Sequence, residues 1–101
     1  MVKEKNSLQM KQKDLANYLL HLEDKGFKFK EDVISFIYFG KQLTGSNDYL
    51  VSISIEITLK AKKSFDGSFY LSLLERMAEN KIKTKTEAYT FVEKIGLLQS
   101  T

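Results

Sequence analysis

The chain has no cysteine, no proline and no tryptophan, and only one histidine and one arginine among its 101 residues. Without cysteine there is no disulfide staple, no thiolate nucleophile and no cysteine-based zinc site. A long apolar run is also missing. The longest uncharged segments, Val33–Gly40 and Gly67–Leu74, have eight residues each, far short of the roughly 18 that a membrane span requires. The opening Met1–Ser7 has no apolar stretch behind it and includes Glu4, which argues against a secretory signal or a transit peptide. The five glycines, 26, 40, 45, 67 and 96, are isolated. Neither a phosphate-cradling G-x-x-x-x-G-K-[ST] loop nor a dinucleotide G-x-G-x-x-G can therefore be written. The expected location is the cytoplasm.

What is present suits one soluble domain. A hydrophobic share of 43% with 29% charged residues lies well away from the disordered range. A chain of this length buries roughly 65% of the surface it exposes unfolded, enough for a core without staples. The net charge is +3, carried by fifteen Lys and the lone Arg76. Lysine is a hydrated point charge, whereas base reading in DNA favours the planar fork of arginine. The excess therefore suits solubility or unspecific electrostatic contact.

Periodicity divides the chain into a short arm (1–7), a single domain (8–98) and a tail (99–101). A first helix is expected from Leu8 to Lys25, capped by Asn6 or Ser7, with Leu8, Leu15, Leu19 and Leu22 on one face. Gly26 sits where a left-handed residue ends such a helix, and Phe27 can pack back on Leu22. Residues 27–39 alternate at first and then become β-branched and aromatic, which favours a strand. A helix from Glu31 to Leu43 is the competitor, weakened by Gly40 in its interior. After the turn-rich Lys41–Asp48 comes strict alternation: Tyr49, Val51, Ile53, Ile55, Ile57 and Leu59 against Leu50, Ser52, Ser54, Glu56, Thr58 and Lys60. That pattern predicts a strand paired with its predecessor as an antiparallel hairpin, with a short third strand near Ser64–Phe65. Two helices follow. One runs from about Ser68 to Glu79 with Asp66 at its cap, Tyr70, Leu73, Leu74 and Met77 as its buried stripe and Asn80 as its terminator. The other is opened by the capping box Thr84–Glu87 and closed by Gly96, with Leu97 folding back toward Val92. The expected fold is thus α+β in the order α-β-β-α-α.

Chemistry is sparse. His21 lies on a helix face among Asp14, Asn17 and Asp24 and reads as a solvated side chain. Glu75 and Glu79 share a face but lack the six or so oxygen ligands a hard cation takes. No catalytic residue, metal ligand or cofactor site is assigned, and no enzymatic activity or small-molecule substrate is expected. Twelve aromatic residues, Phe39 among them, exceed what a small core easily encloses. Tyr18, Tyr38, Tyr49, Phe69, Tyr70 and Tyr89 are therefore candidate interface anchors, in a regulatory protein working through protein contacts or self-association.

Lys60, Lys62 and Lys63, and then Lys81, Lys83 and Lys85, form basic loops, the second beside Thr84 at a helix start where backbone N–H groups can hold a phosphate. Residues 71–92, with Thr84-Lys85-Thr86-Glu87 opening their second helix, resemble the helix pair of ribbon-helix-helix DNA-binding proteins over about a fifth of the chain. The resemblance implies a small DNA-binding regulator as the alternative function. In that family a short alternating strand directly precedes the first helix, whereas here Lys62 and Ser64 interrupt the alternation.

Overall fold

Residues 49–60, expected as a strand, are the central helix of the protein. The computed structural model describes residues 14–97. They form five helices: α1 (Leu15–Asp24), α2 (Glu31–Thr44), α3 (Asp48–Lys62), α4 (Gly67–Glu79) and α5 (Lys85–Lys94). No strand occurs among the described residues, so the α+β fold and its hairpin are replaced by an all-helical one. The arm (1–7), the start of the first helix at Leu8 with its Asn6 or Ser7 cap, and the tail (99–101) lie outside the described residues.

The alternation in α3 misleads because this helix is buried on nearly every side. Leu50, Val51, Ile53, Ser54, Ile55, Ile57 and Thr58 are all buried, and within the helix only Lys60 and Lys62 are exposed. An all-round apolar helix has no polar face to mark its period. Its buried hydroxyls close on the helix itself, Ser54 Oγ donating to the Leu50 carbonyl at 3.1 Å and Thr58 Oγ1 to that of Ser54 at 2.7 Å. Helices α1, α2, α4 and α5 each pack on α3, and α2 also packs on α4. The core joins Leu15 and Leu22 of α1, Ile37 of α2, the α3 residues, Tyr70, Leu73, Leu74 and Met77 of α4, and Ala88 and Val92 of α5.

Residues 31–44 are helical, and the feature that seemed to forbid this supports it. Gly40 lies against the ring of Tyr70, where an added Cβ would sit 2.9 Å from Cε2 and 3.0 Å from the hydroxyl oxygen. The missing side chain lets Tyr70 lie flat on α2 and donate its hydroxyl to the Ile37 carbonyl at 2.7 Å. Phe36 and Phe65 stand 6.2 and 5.4 Å from the same ring, and Phe29 lies 5.6 Å from Phe65. Ser64 and Phe65 belong to the α3–α4 connection and form no third strand.

Helix ends were read more accurately than helix identities. Asp66 accepts from the Phe69 amide at 3.0 Å, and Thr84 from that of Glu87 at 3.1 Å. Gly26 and Gly96 take φ of +101° and +80°, and the Phe27 and Leu97 amides bond back to the Leu22 and Val92 carbonyls. Asn80 ends α4, while Lys81 adopts the left-handed φ of 55°. The first helix differs from expectation: it starts at Leu15, where Asp14 accepts from the Ala16 amide and Asp48 from that of Leu15 at 3.1 Å.

Two measurements test the Tyr70 contact. Gly40→Ala should lower stability in urea denaturation by about 1–2 kcal/mol, because overpacking a rigid ring outweighs the ~1 kcal/mol that alanine gains in helix propensity. A stabilised variant would contradict the close approach. Burial also raises the Tyr70 phenol well above its ordinary value near 10. Its contribution is therefore complete below pH 10 and declines as pH rises above it, at about 1.4 kcal/mol per pH unit, while the ring ionises only in the unfolded chain. Tyr70→Phe should show a correspondingly shallower alkaline loss of stability.

Candidate functional site

Charged residues recur over the surface, but the outer face of α2 between Asp32 and Thr44 exposes none. Its exposed positions between Asp32 and Thr44 are Ser35, Tyr38, Phe39, Gln42 and Leu43. At 100° per residue these make one stripe along the helix. Tyr38 is 39% exposed, Phe39 53% and Leu43 54%. By contrast, Glu75, Arg76 and Glu79 lie exposed on α4, and Lys85, Glu87, Glu93 and Lys94 on α5.

Beside this stripe a groove of about 490 Å³ runs between α1 and α2. Ala16, Leu19, Leu20 and Glu23 line one wall, Ile34 and Tyr38 the other, and Phe27 and Phe29 close the loop end. The α1 positions follow i, i+3, i+4, i+7, so the helix presents a second apolar face in addition to the one on α3. Leu20, 59% exposed, is its most prominent member. The charges lie at the ends. Glu31 and Asp32 occupy the first turn of α2 and Lys41 the last, where Lys41 pairs with Asp48 at 3.5 Å. The Tyr38 phenol is shifted upward by partial burial, and then by the nearby carboxylates of Asp48 and Asp14.

Of the six expected interface aromatics, only Tyr38 contributes to this surface. Tyr70 is fully buried, while Tyr18, Tyr49, Phe69 and Tyr89 are partly buried against the core. Phe39 was counted among the aromatics in excess of the core, whereas Leu20, Phe27 and Leu43 were not singled out as surface residues from the sequence. The uncharged run Val33–Gly40 was the available signal, but it was read as part of a strand.

The basic residues do not converge on one patch. Lys85 pairs with Glu56 at 3.2 Å and Lys60 with the same carboxylate at 3.9 Å. Tyr89 also donates its hydroxyl to Glu56, at 2.5 Å, with the Lys60 ammonium 5.0 Å from its ring centre. Lys62 pairs with Asp66 at 3.9 Å and lies 5.8 Å from the ring centre of Phe69. At the start of α5, Thr84 holds the Glu87 amide, and Glu87 in turn accepts from the Lys83 amide at 2.8 Å. The capping box is thus formed, with its acid reaching one residue further back than the reciprocal pattern, and it places a carboxylate where a phosphate was expected. Lys63, Lys81 and Lys83 keep no acidic partner among the described residues. Lys63 follows the C-terminus of α3, whereas Lys81 and Lys83 lie near Asn47 and Leu50 at its N-terminal end. Thirteen residues of helix, about 20 Å, separate the two ends.

A second hollow, about 380 Å³, opens between α1 and α3, where Tyr18, His21, Lys25, Glu56 and Lys60 meet Leu22, Phe27 and Leu59. His21 is exposed there. Glu75 and Glu79 are exposed on α4.

These features define a small all-α protein, in which four helices enclose a fifth and one outer face carries apolar side chains without charge. The chain belongs to the Family of unknown function (DUF6123), whose model matches residues 10–98. No curated protein and no solved structure matches it. No helix of the described residues is long and apolar enough to cross a membrane.

The Glu56 cluster can be tested directly. The Tyr89 phenol is raised by burial first, then by its hydrogen bond to Glu56 and by that group's charge. Glu56→Gln retains an acceptor but removes the charge. Tyr89 should then ionise at lower pH, visible as an earlier rise in tyrosinate absorbance that is smaller in Glu56→Gln/Tyr89→Phe, where Tyr18, which the Glu56 charge also raises, is left to contribute.

Proposed function

We propose that this is a non-enzymatic binding protein of the cytoplasm that acts through protein–protein contact, and that α2 and the α1–α2 groove form its contact surface. The observation that carries this reading is the charge-free exposed stripe Ser35, Tyr38, Phe39, Gln42 and Leu43. Depletion of charge with enrichment of aromatic side chains distinguishes the centre of an interface from ordinary surface. Scattered exposed apolar residues are normal on soluble proteins. Leu20, Phe27 and Tyr38 share one groove, Phe39 and Leu43 are exposed on the adjoining side of α2, and in a chain where 29% of residues are charged such a grouping is of the kind that marks an interaction site. The reading as a non-enzyme rests on the residue inventory: one His, no Cys and no nucleophile–base pair suggested by the sequence.

Site-directed photo-crosslinking in the cell that makes the protein tests the assignment. A photoreactive side chain at position 39 of the full chain should give protein adducts, whereas one at the exposed Thr90 of α5 should not. Equal labelling from both positions, or none from position 39, would remove this surface from consideration.

A further inference from the structure

We infer that the hollow of about 380 Å³ between α1 and α3 is a binding site for a small organic anion, a carboxylate carried on a short apolar body. The hollow lies on the far side of α1 from the groove. Its α1 residues are Tyr18, His21, Leu22 and Lys25. At 100° per residue they stand about 180° around the helix from Ala16, Leu19, Leu20 and Glu23. Occupancy of the hollow is therefore independent of the protein contact at α2.

Leu22, Phe27 and Leu59 give the hollow apolar walls, and polar groups from both helices converge on the same space. A concave site of this kind, mostly apolar with a few convergent polar groups, is the usual form of a small-molecule site. Tyr18 brings a donor that the fold leaves unused. Tyr70 and Tyr89 spend their hydroxyls on the Ile37 carbonyl and on Glu56. The half-buried Tyr18 has no hydrogen-bond partner among the described residues. Burial, and then the Glu56 charge, raise its phenol, so the hydroxyl keeps its proton at neutral pH.

Charge decides the sign of the ligand. His21, Lys25 and Lys60 line the hollow, and Glu56 is its one carboxylate. Glu56 is already engaged: Oε1 pairs with Lys85, and Oε2 accepts from Tyr89 and faces Lys60. Lys25 has no acidic partner among the described residues. It caps the C-terminus of α1, and Lys60 stands in the last turn of α3. Those two helix ends bring about half a negative unit each. The three lysines outweigh them and Glu56 together, before His21 is counted. A carboxylate can thus take Lys25, Lys60 and the Tyr18 hydroxyl while its body covers Leu22, Phe27 and Leu59. A cation would meet the lysines with no free carboxylate to receive it.

Titration of the isotope-labelled full chain with sodium hexanoate, followed through its amide resonances, should give saturable shifts at Tyr18, Leu22, Leu59 and Lys60. Hexylammonium has the same body with the opposite charge, and acetate has the head without the body. Each should bind at least about tenfold more weakly. Tyr18→Phe keeps the ring and removes the donor, and Lys25→Gln removes a charge that no carboxylate of the fold uses. Each should weaken hexanoate by about three- to tenfold, with the spectrum of the free protein otherwise unchanged. Lys94→Gln, on the exposed end of α5, should leave the affinity as it is. Absence of saturable shifts, equal binding of hexylammonium, or shifts confined to Ala16, Leu20 and Ile34 would overturn the anion site. The crosslink at position 39 reports on α2 alone, so either reading can fail without the other.

Discussion

Helix α3 has apolar side chains on nearly every side, and water has to be kept from all of them. The rest of the described structure follows from that constraint. A helix with a single apolar stripe needs one neighbour, whereas one without a polar face needs a sleeve, supplied here by α1, α2, α4 and α5. The sleeve is tolerable because the polar atoms inside it are satisfied locally: Ser52, Ser54 and Thr58 each donate to the carbonyl four residues earlier. Their hydroxyls place no demand on neighbouring helices, which can meet these positions with hydrocarbon.

The same constraint governs what could be read from the sequence. Helices α4 and α5 are half-exposed, so their apolar residues fall at helical spacing and their caps were read from Asp66, Thr84 and Gly96. Helix α3 hides its period by being buried all round, and its β-branched residues then suggest a strand. The contrary signals are local: Asn47 accepts from the Leu50 amide at 2.8 Å as a helix cap, and Leu50, Ser54 and Thr58 recur every four residues. Gly40 counted against a helix because its reason lies thirty residues away in Tyr70, a tertiary contact that propensity does not encode. Once α2 was taken for a strand, its exposed side could not be located. Tyr38 and Phe39 were legible as surplus aromatics from residue type, but Leu43 and Leu20 became visible only when the helices were oriented.

The lysines tell a related story. Their number suggested an electrostatic partner, yet Lys60 and Lys85 converge on Glu56, and Lys62 turns to Asp66 and Phe69. These three are committed within the fold, fastening α5 and the α3–α4 connection to the central helix. The distinctive surface is the one where charge is missing, which is easier to overlook in a sequence than a cluster of cations.

Enclosure of α3 has a further consequence for the chain outside its native state. From Tyr49 to Leu59 the segment alternates apolar, mostly β-branched residues with mainly polar ones, contains no proline and carries a single charge, Glu56. Low charge, high β propensity and absence of proline are also the attributes of segments that stack between chains as cross-β structure. The bundle keeps this stretch helical by surrounding it. Any opening that strips α1 or α5 from α3 releases a stretch whose own bias is toward intermolecular pairing. The sleeve around α3 therefore withholds a β-prone segment from other chains as well as forming the hydrophobic core.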